Sequence, residues 1–144
     1  MVHSTMSKKN TLKEAVKFHG HLGPYLVLGL LAGQAALKKL NCKKYFGLRV
    51  KVWGADKKPK SCLIDGLQLS TGATYGKGNI EKLNGSVIKI NFYCPEKKQR
   101  LDIELTNNLA KRLQAAKTHA HCEALAKKLL KEDCRNIFNL SPII

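Results

Sequence analysis

Acidic residues are few in this 144-residue chain: 10 Asp and Glu stand against 26 Lys and Arg, a formal net charge of +16. Aromatics are sparse too, at 6%. The basic clusters, Lys38/Lys39, Lys43/Lys44, Lys57/Lys58/Lys60, Lys97/Lys98/Arg100 and Lys127/Lys128/Lys131, are spread along the chain with no aromatics between them. A groove that stacks bases needs the two residue types interleaved, so solvated lysine-rich surface accounts for the charge better than nucleic-acid binding. No C-x-x-C pair occurs, and the cysteines (Cys42, Cys62, Cys94, Cys122 and Cys134) are odd in number. That argues against a zinc ribbon and against a disulfide framework. Reduced thiols are expected, with Cys42, Cys94 and Cys134 acting as small hydrophobes. The longest apolar run, Leu22 to Gly33, contains Pro24 and is shorter than the roughly 20 residues a membrane-spanning helix needs. The N-terminus shows no secretory apolar core. The expectation is a cytoplasmic protein that does not enter membranes.

Size and composition fit one domain over residues 1–144. Hydrophobic content of 44% and charged content of 25% are ordinary for a globular chain. Thr11 to Lys17 reads as a short helix capped by Asn10 or Thr11. From Pro24 to about Leu40 the residues are apolar almost all round, as in a buried helix, with Gly29 and Gly33 four apart to admit another backbone closely. Phe46 to Trp53 alternates as a strand, Leu48, Val50 and Val52 on one face. Val87 to Tyr93 and Leu101 to Leu105 alternate likewise around the turn Pro95-Glu96-Lys97-Lys98, which predicts an antiparallel hairpin. A long helix follows from an Asn107 or Asn108 cap to about Lys131, with Leu109, Leu113, Ala116, Ala120, Leu125 and Leu129 on one side. Ile137 to Leu140 is a short edge strand. This order specifies an α+β fold: a small mixed or antiparallel sheet packed against helices, including the buried glycine-rich helix and the long C-terminal one.

Two stretches hold most of the soft ligand atoms. Phe18-His19-Gly20-His21-Leu22-Gly23-Pro24-Tyr25 sets two imidazoles on either side of a glycine. Proline suits the first turn of a helix, so the pair belongs in the loop before it. Residues two apart on a helix point about 200° apart, whereas a glycine-hinged loop lets both rings close on one ion. The second stretch is Cys62-Leu63-Ile64-Asp65-Gly66-Leu67-Gln68, running on through Thr71-Gly72-Ala73-Thr74-Tyr75-Gly76-Lys77-Gly78-Asn79. Ser61 is a good N-cap, which makes Cys62 the first helical residue. Free amides and the helix dipole there favour thiolate, and Asp65 shares the face of Cys62 one turn on. The glycine loop departs from the P-loop pattern in spacing and lacks the hydroxyl residue after lysine; a backbone nest with Lys77 for an anionic group stays open. On the last helix His119, Cys122 and Glu123 share a face while His121 points away, a grouping that an ordinary amphipathic helix accounts for without chemistry.

Together these stretches resemble the family of the formylmethanofuran dehydrogenase E subunit. Its core domain carries Phe-His-Gly-His-x-Cys-Pro-Gly before a buried helix and Cys-x-x-Asp-x-Ile-Gln-x-x-Thr-Gly-x-Thr-x-Gly-Lys-Gly-Asn downstream. The likeness covers almost the whole chain. It implies an α+β core, often a homodimer, with a divalent metal, commonly zinc, held by the His-Gly-His loop and the cysteine. It also implies association with the molybdenum or tungsten enzyme that makes formylmethanofuran in methanogens, hence one-carbon metabolism in an archaeon or other anaerobe. Carried over by motif, His19, His21 and Cys62 are metal ligands, and Asp65, Gln68, Thr71, Thr74, Lys77 and Asn79 support them or contact a bound molecule. There are two departures: Gly23 stands where the motif has its cysteine, and the C-terminal zinc ribbon of many members is absent. Three functions compete on these residues. They are a metal-binding accessory protein, a small metalloenzyme acting on an anionic substrate, and a basic nucleic-acid-binding protein whose His/Cys set is structural.

Overall fold

In the computed structural model, residues 8–144 are described, and they begin inside a helix, α1 (Lys8–His19). Residues 1–7, part of the stretch expected to lack a secretory core, lie outside the described residues. Asn10 and Thr11 sit within α1 and so do not cap its start. α1 ends where Gly20 takes φ +107 and donates its N–H to the Val16 carbonyl at 2.7 Å, a closure that glycine makes without a Cβ penalty. His19 is therefore the last helical residue, and only His21 occupies the loop expected to hold both.

Pro24 opens α2 (Pro24–Leu40) as its fixed φ predicts, and Leu26, Val27, Leu28, Leu30 and Leu31 are buried on nearly every side. β1 (Arg49–Trp53) starts later than expected. The chain before it is pinned at Tyr45, whose N–H donates to the Thr71 carbonyl at 2.8 Å, and Phe46 is left exposed. α3 (Cys62–Thr71) then crosses α2 at backbone distance. A Cβ on Gly29 would lie 2.9 Å from Gly66 Cα, one on Gly66 2.7 Å from Leu30 N, and one on Gly33 2.8 Å from Ser70 Cβ. Ser70 Oγ fills the seam, donating to the carbonyls of Gly66 at 2.8 Å and Gly29 at 3.1 Å. These contacts advance together along both helices, Gly29 beside Gly66 and Gly33 beside Ser70. α2 and α3 consequently run parallel, with their N-termini at one end. α1 packs on both through Ala15, Leu26 and Leu30, with Leu69 alongside.

The sheet is completed by β2 (Ile80–Leu83), β3 (Lys89–Cys94), β4 (Gln99–Leu105) and β5 (Phe138–Leu140), in the order β2-β1-β3-β4-β5. β1 and β2 are parallel, Val50 opposite Ile80, and the other pairs are antiparallel, with Phe92 opposite Leu101 in the expected hairpin. Val50, Val52, Ile90, Phe92, Leu101 and Ile103 all point to one buried face against the helices. Half-exposed and exposed residues alternate with them, as in a mixed sheet covered on one side. The architecture is α+β, as the sequence predicts.

The long C-terminal helix is instead two, α4 (Asn107–Ala115) and α5 (His119–Leu129). Thr106, not an asparagine, caps the first, accepting from Leu109 N at 3.2 Å; Thr118 caps the second, accepting from His121 N at 3.1 Å. A threonine that can satisfy a free amide competes with helix continuation, and Ala116 leaves helical geometry at ψ 88 just before it. Ala120, expected on the apolar stripe, is exposed. Arg112 of α4 holds the turn after α5 through a two-pronged pair with Glu132 at 2.8 and 2.6 Å. No helix among the described residues is long and apolar enough to cross a membrane.

Adding one methyl group tests the helix crossing. Gly66→Ala is expected to lower the unfolding free energy by about 1–3 kcal/mol, the cost of overpacking. Gly76→Ala, whose Cβ would meet only Thr74 Oγ1 at 3.9 Å, should instead be neutral or stabilising by roughly 0.5 kcal/mol; urea titration of both compares them. The Arg112 guanidinium that bonds Glu132 holds its carboxyl below the usual carboxylate range. A lowered folded-state pKa stabilises above the unfolded-state value and is lost as pH falls through the folded one. Wild type should exceed Glu132→Gln by on the order of 1 kcal/mol at neutral pH. The gap should close as pH falls below the ordinary Glu value of about 4.3, read from denaturant midpoints across pH.

Candidate metal centre

Parallel packing of α2 and α3 brings the loop before one helix to the first turn of the other. There His19 Nδ1 lies 2.6 Å from Asp65 Oδ2. An ionised carboxylate only accepts, so with it Nδ1 carries the hydrogen and Nε2 the lone pair. The His19 side chain is 10% exposed, and its Nε2 is the one buried side-chain nitrogen or oxygen among the described residues with no hydrogen-bond partner. Leaving such an acceptor unmet costs about 1–3 kcal/mol. An imidazole oriented by a carboxylate through one nitrogen, with the other free, is how metal-ligating histidines are held.

The His21 ring centroid is 4.9 Å from that of His19, tilted by 38°, and His21 is exposed in its loop. Cys62, half-buried, stands one turn before Asp65 on α3. Among the described residues no three His, Cys, Asp or Glu side chains are gathered closely enough to enclose an ion as they stand. Enclosure would require His21 and Cys62 to turn inward, a motion that the Gly20 hinge and the short cysteine side chain permit.

The expected thiolate-favouring helix start is corrected here. Ser61 has helical backbone and makes no side-chain cap. The amides of Cys62, Leu63 and Ile64 donate instead to the carbonyls of Pro59, Lys60 and Ser61, at 3.1, 3.1 and 3.0 Å, so none of these three is left for the sulfur. Burial, and after it the Asp65 carboxylate, pushes the Cys62 thiol up, with Lys58 opposing.

Of the remaining predicted site residues, Asp65 stands at the imidazole and the other five brace the glycine loop. Gln68 Oε1 accepts from Tyr75 N at 3.1 Å; Thr71 Oγ1 donates to the Leu67 carbonyl at 2.6 Å and accepts from Ala73 N at 3.1 Å. Thr74 Oγ1 accepts from Lys77 N at 3.2 Å, and the Lys77 ammonium donates to the Gly72 carbonyl with the Phe46 ring centroid 5.3 Å away. Asn79 ties three segments together, accepting from Thr74 N at 2.8 Å and donating to the carbonyls of Tyr45 at 2.6 Å and Leu48 at 3.4 Å.

Two neighbours of the centre could not be joined to it by sequence reading. His119, the first residue of α5, has its ring 6.1 Å from that of His21. Tyr25, half-buried at the start of α2, has its hydroxyl pushed up by burial and then by Cys122 of α5. Only the break at Thr118, a threonine three residues before the amide it caps, hinted that this helix starts afresh beside the loop.

A family model described as "FmdE, Molybdenum formylmethanofuran dehydrogenase operon" matches residues 18–141, from Phe18 of the His loop to the residue after β5. The chain belongs to the FmdE family. Its fold is similar to that of an FmdE-like protein of the tungsten formylmethanofuran dehydrogenase from Syntrophus aciditrophicus, with a TM-score of 0.67 at 16% identity, covering 97% of this chain and 73% of that one. Among curated proteins none matches this chain. In this FmdE-family chain a Cβ at Gly23, where the motif has cysteine, would lie 3.2 Å from His21 Nε2. The substitution therefore leaves open space directly beside the second imidazole.

Asn79→Ala removes three internal hydrogen bonds and should lower stability by about 2 kcal/mol, measured by urea unfolding. A residue serving only to touch a ligand would leave stability unchanged.

Proposed function

We propose that this chain is a metal-binding accessory protein of the one-carbon metabolism served by molybdenum or tungsten formylmethanofuran dehydrogenases. In this reading it holds a divalent ion, zinc by the character of the donors, through His19, His21 and Cys62. The observation that carries the reading is His19: its Nδ1 is fixed by Asp65 while its buried Nε2 has no partner. Two imidazoles and a sulfur are donors that suit zinc. When bound, such an ion supplies a positive charge able to polarise a water or a carbonyl. The rest is the work of the chain itself. Asp65 sets the tautomer and plane of His19, the Gly20 hinge lets His21 swing in, and the α2–α3 crossing keeps the Cys62 turn at the same end.

The accessory reading is favoured over an enzyme acting on an anionic substrate by the glycine loop. Its lysine is already held by the Gly72 carbonyl and covered by the Phe46 ring, so we assign Gln68, Thr71, Thr74, Lys77 and Asn79 to bracing. The family's operon link supports a place beside the enzyme complex.

Elemental analysis of tag-free protein after exposure to zinc and desalting tests this. Wild type should retain stoichiometric zinc; His19→Ala, His21→Ala and Cys62→Ser should lose it. Asp65→Ala should bind about 10–100-fold more weakly, as when a ligand's carboxylate support is removed. Wild type without zinc, or His19→Ala with as much as wild type, would refute the proposal.

A further inference from the structure

The α5 helix starts at the metal centre for a reason its own packing does not require. Thr118 breaks the chain out of α4 and caps a new helix, and the first residue so placed is His119. Its ring is exposed and makes no hydrogen bond or ion pair among the described residues; the contact it has is with His21, at 6.1 Å between centroids and 36° between planes. Three imidazoles thus follow one another, His19 to His21 at 4.9 Å and His21 to His119 at 6.1 Å. Two imidazoles bound to one tetrahedral zinc, with Zn–N near 2.1 Å, have ring centroids roughly 5 Å apart. The observed spacings bracket that value. Beside them Gly23 leaves the room that a side chain would fill, and His19 Nε2 waits buried without a partner.

We propose that His119 is a further metal ligand, supplied by α5 across the open space at Gly23, so that His19, His21, His119 and Cys62 close a four-coordinate site. This rests on the metal-binding reading above and sharpens it. Three protein donors leave a position for water, as catalytic zinc sites do, whereas four make the closed kind that holds an ion without offering it to substrate. A closed site agrees with an accessory role. It also gives the start of α5 a purpose, since its N-terminus seals the centre and ties the last helix to the His-Gly-His loop.

The test uses the full chain with cobalt(II) and zinc as probes. His119→Ala alters an exposed residue in a helix whose Thr118 cap remains, and alanine is a good helix former, so the metal-free variant should unfold at the same denaturant concentration as wild type. Cobalt(II) in wild type should show the intense visible bands of a tetrahedral site together with sulfur-to-cobalt charge transfer. In His119→Ala the charge transfer should persist while the visible bands weaken, as coordination opens to water. Zinc affinity, measured by competition with a chromophoric chelator, should fall at least about tenfold, the lower bound for losing even an outer partner of a ligand. Wild-type zinc affinity and an unchanged cobalt spectrum in His119→Ala would overturn the role of His119 and leave His19, His21 and Cys62 standing. Failure of wild type itself to bind either ion would overturn both.

Discussion

The glycine-lined contact between α2 and α3 is the constraint from which the rest of the molecule follows. Gly29, Gly33 and Gly66 remove the side chains that would hold the helices apart, and Ser70 replaces them with hydrogen bonds to two backbone carbonyls across the seam. In a close-packed interior an added methyl cannot be absorbed without shifting backbone. Because the contacts run in step, the helices are parallel, and whatever precedes α2 meets whatever opens α3. That alone brings His19 to Asp65, 46 positions away in the chain, and sets Cys62 one turn from the same carboxylate.

The polar residues of the second motif divide along this geometry. Asp65 serves the imidazole, while Gln68, Thr71, Thr74, Lys77 and Asn79 hold the following loop onto the start of the sheet. One end of the domain is stabilised by fully met hydrogen bonds. The other keeps a buried nitrogen unmet at a cost of about 1–3 kcal/mol in the metal-free chain. A ligand that satisfied it would bind the folded state alone and stabilise it by mass action. Local cost at one group, made up by surrounding packing, is the usual signature of a functional site.

Much of the fold was legible because its signals are local. Pro24 fixed the start of α2, Val50 and Val52 the inward face of β1, and the alternation about Pro95 the β3–β4 hairpin. β2 was not legible, since in Ile80–Leu83 only Ile80 is buried and four residues show no alternation. The break between α4 and α5 was missed because the apolar spacing runs through it; a single hydroxyl, Thr118, decides the matter by capping. The centre was partly legible: motif likeness singled out His19, His21, Cys62 and Asp65, and the structure joins His19 to Asp65 directly. The Cys62 environment was misread because the turn at Pro59–Ser61, which uses the helix-start amides, has no signature in composition. His119 could not be tied to His21 at all, since nothing in a one-dimensional reading relates positions so far apart.

The central claim is that His19 Nε2 points at a metal position. Anomalous diffraction at the zinc edge from crystals grown with zinc addresses it most directly. The account predicts a peak within bonding range of His19 Nε2, about 2.1 Å for nitrogen and about 2.3 Å for the Cys62 sulfur, with the Asp65 contact to Nδ1 intact. Full zinc occupancy elsewhere on the molecule, with His19 Nε2 still unmet, would contradict it.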